Sequence, residues 1–177
     1  MKQLSASFLR IKHWQLFLLL VVPDFSDLFY SANSFIDHFA TVLGFSLIVA
    51  WIYSAGTELV NKLPEGHGVK KLFFQINCIY VVAFMTIETF FFNGGFTMVT
   101  DYPKFWWISL PAEFYFSFCL FYSAYFAARM LSSAIKGRIV GFHFAIGYFF
   151  AFAFFPVGVW IIQPKLNRLS SALPQPC

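Results

Sequence analysis

Charge is scarce in this sequence. Asp, Glu, Lys and Arg make up 11% of its 177 residues, against about 25% in a soluble domain. That is too little to coat a water-facing surface. Strand-period alternation is missing too, and an outer-membrane barrel would need it in segments of about 10 residues. Cysteine is limited to Cys78, Cys119 and Cys177, with no CxxC pair and no metal-ligand spacing. Cys78 and Cys119 fall in apolar runs, where a free Cys packs as a small hydrophobe. Cys177 stands at the end of the chain, not four from it, so no prenylation box is present. The four His do not pair at helical spacing with a carboxylate or with each other. A metal centre needs at least three such ligands together, so no metal and no cofactor is expected.

Catalytic constellations are missing as well. Gly44-Phe45-Ser46 is not a nucleophile turn, no Asp lies in mid-span, and every Lys falls in a loop or tail, which argues against a buried Schiff base. Gly66-His67-Gly68-Val69-Lys70-Lys71 lacks the spacing of a phosphate loop. No catalytic residue is expected. The net charge of +4 is spread over short loops. It reads as a topology signal, and nucleic acid is not expected as a partner.

What the chain has is apolar bulk. Hydrophobic residues reach 59% and aromatics 23%, with 27 Phe. The expected fold is all-α, a single integral membrane helical bundle of five transmembrane helices, or four if the first does not span. A spanning helix needs about 20 mostly apolar residues. The approximate spans are 9–22, 35–59, 72–92, 106–131 and 139–162. The first is the short one, because Pro23, Asp24 and Asp27 interrupt it. It lacks the small residues that a signal-peptide cleavage site requires, so it is read as retained and peripheral. Five spans put Lys2, Arg10, Lys12, Lys62, Lys70, Lys71, Arg129, Lys136 and Arg138 on one side, against Lys104, Lys165 and Arg168 on the other. Lys/Arg bias orients such proteins. The expectation is an N-terminus in the cytoplasm and a C-terminus outside.

Small residues four apart, such as Ala40/Gly44, Ser123/Ala127 and Gly137/Gly141/Ala145, would let helix backbones approach. The bland reading is packing within the bundle; the sharper one is a homo-oligomer face. Pro156 should kink the last helix. Pro164 should stop it, leaving Asn167 to bond the freed carbonyls.

Ionisable groups inside a membrane are costly, so each merits a functional hypothesis. Asp37, His38, Glu88 and Glu113 share one depth band on three helices in the five-span threading. They define a candidate polar pocket in the outer half, with Ser109 and Ser117 on the face of Glu113. Glu88 shares its face with Phe84 and Phe92, so Glu113 is favoured. The bland reading of all four is a position among lipid headgroups.

Three patterns stand together: Lys12-His13-Trp14-Gln15-Leu16-Phe17, Trp51-Ile52-Tyr53-Ser54-Ala55-Gly56 followed by Asn61-Lys62-Leu63-Pro64, and Phe155-Pro156-Val157-Gly158-Val159-Trp160-Ile161-Ile162-Gln163-Pro164-Lys165-Leu166-Asn167. With them the chain resembles a group of small, uncharacterised bacterial polytopic membrane proteins. The resemblance implies a bacterial inner membrane and carries no activity. On the residues alone, the leading expectation is a non-enzymatic accessory or regulatory membrane protein, with the lipid bilayer and a membrane-protein partner or second copy around it. The alternative is a small transporter or channel using the outer-half pocket.

Overall fold

The computed structural model describes residues 11–23, 35–63, 68–91 and 106–171. Among these the chain is helical, without strands: α1 His13–Val21, α2 Phe35–Val60, α3 Leu72–Phe91, α4 Trp106–Lys136, α5 Phe142–Ala153 and α6 Phe155–Ser171. Three of them, α2, α3 and most of α4, are long and apolar enough to cross a membrane. This is a helical membrane protein. The expected first span is represented by α1, whose 9 residues rise only about 13 Å, less than half of a hydrocarbon core of about 30 Å.

α4 is the hub. It packs against α2, α3, α5 and α6, while α1 lies at the edge on α2 and α6. The α3–α4 seam is antiparallel and runs from Phe74 stacked on Phe126, through Cys78 beside Ser123 and Asn77 beside Cys119, to Phe84 on Phe116. The α3 residues of this seam lie three, four and seven apart, spacings that keep one face of a helix against its neighbour. Gly56 of α2 allows close approach to α3, since a Cβ there would stand 2.6 Å from the Phe74 ring. α4 ends at Gly137, whose φ of +64° is left-handed and suits glycine. Arg138 N–H then donates to the Ser133 carbonyl at 3.2 Å, the 6→1 bond of a Schellman cap. Val140 N–H donates to Ser133 Oγ, and the Arg129 Nε–H donates to the Val140 carbonyl. These bonds aim α5 back along α4.

The apolar run 139–162 is not one helix. Phe154, at φ −98° and ψ 64°, leaves the helical region. Its N–H donates to the Phe150 carbonyl and closes α5; its carbonyl accepts from Val157 and Gly158 and opens α6. One residue thus breaks the helix without orphaning its own backbone groups, a strict requirement in lipid. Pro156 sits in the first turn of α6, where no intrahelical N–H is needed. Gly158 permits the fold-back: a Cβ there would lie 1.5 Å from the Ala151 carbonyl oxygen. Further along, Lys165 Nζ donates to the Tyr148 hydroxyl at 2.6 Å. α5 and α6 therefore form an antiparallel hairpin rather than the kinked continuous helix expected from Pro156.

α6 returns along α2. Trp51 Nε1–H donates to Gln163 Oε1 at 3.1 Å, and Lys62 Nζ donates to the Leu169 carbonyl at 2.6 Å. Gln163 Nε2 donates to the Ile11 carbonyl and to Asn167 Oδ1, and Asn167 Nδ2 reaches the same Ile11 carbonyl at 3.4 Å. Pro164 does not stop α6, which continues to Ser171. The helix survives because side chains on both sides of Pro164 anchor it to the segment before α1. Asn167 bonds that segment rather than carbonyls freed by Pro164. Partial burial holds the Lys62 ammonium below the usual lysine range, with Glu58 pulling the other way.

The hairpin changes the charge map. Lys165 and Arg168 sit on the return helix, toward the end of the bundle that carries Lys62, the α4–α5 turn and Lys12. Every described Lys and Arg lies toward that basic end. Asp37, Glu88 and Glu113 lie toward the other, acidic end.

Gly158→Ala should cost roughly 1–3 kcal/mol of stability through overpacking against the Ala151 carbonyl. Gly147→Ala, which meets nothing within 4 Å, should stabilise by about 0.5–1 kcal/mol. Reversible unfolding in mixed micelles compares the two. In the same assay, a double-mutant cycle of Trp51→Phe and Gln163→Leu should give a coupling of about 0.6–1.7 kcal/mol; additive losses would mean that their contact holds nothing.

Candidate ligand-binding site

The tip of the α5–α6 hairpin closes a cavity of about 330 Å³ between α2, α3 and α4. Phe152, Ala153 and Phe155 form its floor. Ile48, Met85, Leu120 and Ala124 line its walls, and the Thr41 hydroxyl reaches it near the acidic end. The Thr41 hydroxyl also donates to the Asp37 carbonyl one turn back. The cavity is apolar because its walls are the inward stripes of three spanning helices. It exists because a half-length hairpin cannot fill the space that a full crossing would occupy.

Above the cavity, toward the acidic end, stand the carboxyls. On α2, Asp37 is four residues from Thr41. On α3, Glu88 is three residues from Met85. On α4, Glu113 is seven residues from Leu120. Each spacing keeps one helix face, so all three acids continue stripes that line the cavity. Glu88 is buried, 5% exposed, and lies at the end of the α3–α4 seam. One turn past the Phe84–Phe116 stack, it stands at the level of Glu113 on α4. Glu113 Oε1 is shielded from solvent with no hydrogen-bond partner among the described residues.

The sequence-derived pocket residues thus fall as follows. Glu88 and Glu113 are brought together. Asp37 is half-buried in the first turn of α2, and the His38 ring stands edge-on to Phe90 at 6.2 Å. Ser117 is half-buried one turn below Glu113. Ser109 lies in the first turns of α4, with its side chain outside the described residues. Asp37, His38, Glu88, Glu113 and Ser117 do not line the apolar cavity itself; they lie toward its acidic side. Thr41 and Met85, which do line it, carry no sequence signal, since what distinguishes them is the emptiness opposite.

A second polar group sits deeper. Asn77 is fully buried on the α3–α4 seam, where its Oδ1 accepts from the Tyr115 hydroxyl at 3.3 Å and the Cys119 thiol at 3.4 Å. Its Nδ2 has no partner among the described residues. Asn77 is one of two amides, with Gln75, in an otherwise apolar first half of α3, a signal that depth counting for ionisable groups does not weigh. Cys78 and Cys119 are buried and unlinked. Among the described residues no group of three His, Cys, Asp or Glu gathers to hold a metal.

No family model, no curated protein and no solved structure matches the chain. The site has to be read from its own chemistry.

Proposed function

We propose that this is a small polytopic protein of the cytoplasmic membrane that admits an amphiphilic ligand from the outer leaflet, in the manner of a small transporter. The observation that carries this reading is the apolar cavity with carboxyls continuing its walls outward. An alkyl or aromatic body fits among Ile48, Met85, Leu120 and Phe152. A cationic end would lie near Glu88 and Glu113, where it gives two carboxyls shielded from water a counter-charge. A charge at that depth is retained only at a cost, and such groups mark ligand paths in membrane proteins. The hairpin tip is the element positioned to move, because its floor residues flank a single-residue break.

In this reading α2, α3 and α4 cross the bilayer, and α5–α6 enters from the basic side and returns. α5 rises about 18 Å over its 12 residues, a little past the midplane. The basic end faces the cytoplasm by the Lys/Arg rule. The bacterial origin and N-in orientation stay with this reading, but the C-terminus moves to the cytoplasmic side. The accessory-subunit reading, with a membrane-protein partner or second copy, has one specific observation in its favour. A lipid-facing apolar groove of about 470 Å³ between α2 and α3, lined by Ser46, Ala50, Ile79 and Ala83, could seat another helix.

Reporter fusions at Lys70 and after Ser171 should report the same, cytoplasmic side; opposite sides would restore a continuous fifth span. In nanodiscs, an alkyl-ammonium amphiphile should bind the wild-type protein. Glu88→Gln with Glu113→Gln should weaken it by about tenfold, the equivalent of about 1.4 kcal/mol. Ala124→Leu, which fills the cavity, should abolish binding. Unchanged affinity in both variants would move support to the accessory-subunit reading.

A further inference from the structure

A separate cavity opens at the opposite, basic end. It measures about 370 Å³ and lies between the segment 68–70 and the last turns of α4. Lys70, Arg129, Tyr122, Tyr125, Phe126 and Ile139 line it. The polarity is graded with depth. Lys70 stands two residues before α3 begins, at the rim. Arg129 is seven residues from the end of α4, about 10 Å in. Tyr122 is fourteen from that end, about 21 Å in, and its ring packs edge-on against Phe73 at 5.1 Å. The Arg129 Nε–H bond to the Val140 carbonyl, 3.1 Å, fixes the guanidinium plane and leaves its terminal nitrogens for the cavity. Gly68, at φ +63°, lets the chain turn so that Lys70 reaches the same opening.

We infer that this cavity holds the phosphate headgroup of an anionic phospholipid from the adjacent leaflet. Two cations converge on the phosphate, the guanidinium as a fixed fork and the ammonium as a mobile point charge. The Tyr125 hydroxyl adds a donor. Tyr122 and Phe126 below accept the glycerol and the first methylenes. A free phosphate ion would use only the upper half of such a site, and a zwitterionic lipid would place a second cation against Lys70. Basic pockets between spanning helices are the usual seats of acidic lipid headgroups.

The test uses the full chain. Native mass spectrometry from vesicles of phosphatidylcholine and phosphatidylglycerol should show retained phosphatidylglycerol, preferred over phosphatidylcholine by about tenfold or more. Lys70→Gln and Arg129→Gln should each cut that preference about fivefold. Lys136→Gln, at the same end but over the Phe144 ring, should leave it unchanged. Because Arg129 also braces the α4–α5 turn, Lys70→Gln and Tyr125→Phe carry the result if Arg129→Gln fails to fold. The inference is overturned by a wild-type protein that retains both lipids equally. An equal loss in Lys136→Gln would also overturn it, as it would mark diffuse surface charge. So would inorganic phosphate displacing the lipid at millimolar concentration, which would assign the site to a free anion.

Discussion

The bond between Trp51 and Gln163 governs the rest of this molecule. In a bilayer no water stands ready to satisfy a glutamine amide, so a Gln in an apolar helix must find protein partners. Gln163 finds three groups: the Trp51 indole, Asn167 and the Ile11 carbonyl. They belong to three different parts of the chain. Satisfying them all requires α6 to lie beside α2 and the segment before α1, which it reaches only by folding back at Phe154. The cavity floor, the clustering of cations at one end and the edge position of α1 follow from that single requirement.

The two ends of the bundle consequently differ in chemistry. At the basic end, lysines and arginines bond backbone carbonyls and aromatic rings, as in Arg129 to Val140, Lys62 to Leu169 and Lys165 to Tyr148. There the cations brace turns and cap helix ends as well as biasing topology. At the acidic end Glu88 and Glu113 share one level of the α3–α4 seam, one turn past the Phe84–Phe116 stack, with no ion pair to a cation among the described residues. The cations of one end are largely engaged with the fold, and the carboxyls of the other are not.

Much of this was legible in the residues. The runs that became α2, α3 and α4 announce themselves by length, and counting depth from their ends sets Glu88 and Glu113 at one level. The hairpin was not legible. Residues 139–162 are apolar throughout, and hydropathy is the same whether such a run crosses or returns. Pro156 suggested a kink, but the size of the turn depends on Gly158 meeting Ala151 and on Gln163 meeting Trp51, contacts between residues distant in sequence. The outer cavity was hidden for the same reason: Met85 and Leu120 differ from their neighbours only in facing a space that the hairpin leaves unfilled.

The fold-back has a consequence for how the protein is made. α6 is the last described helix to leave the ribosome, and its partners, Ile11 and Trp51, are synthesised well before it. Until Gln163 arrives, the Trp51 indole and the Ile11 carbonyl have no protein partner within the membrane, and the cavity has no floor. Assembly therefore closes late, like a clasp. A nascent chain that stalls in α5 presents the cell's quality-control machinery with exposed polar groups inside the bilayer, and only a chain completed through α6 conceals them.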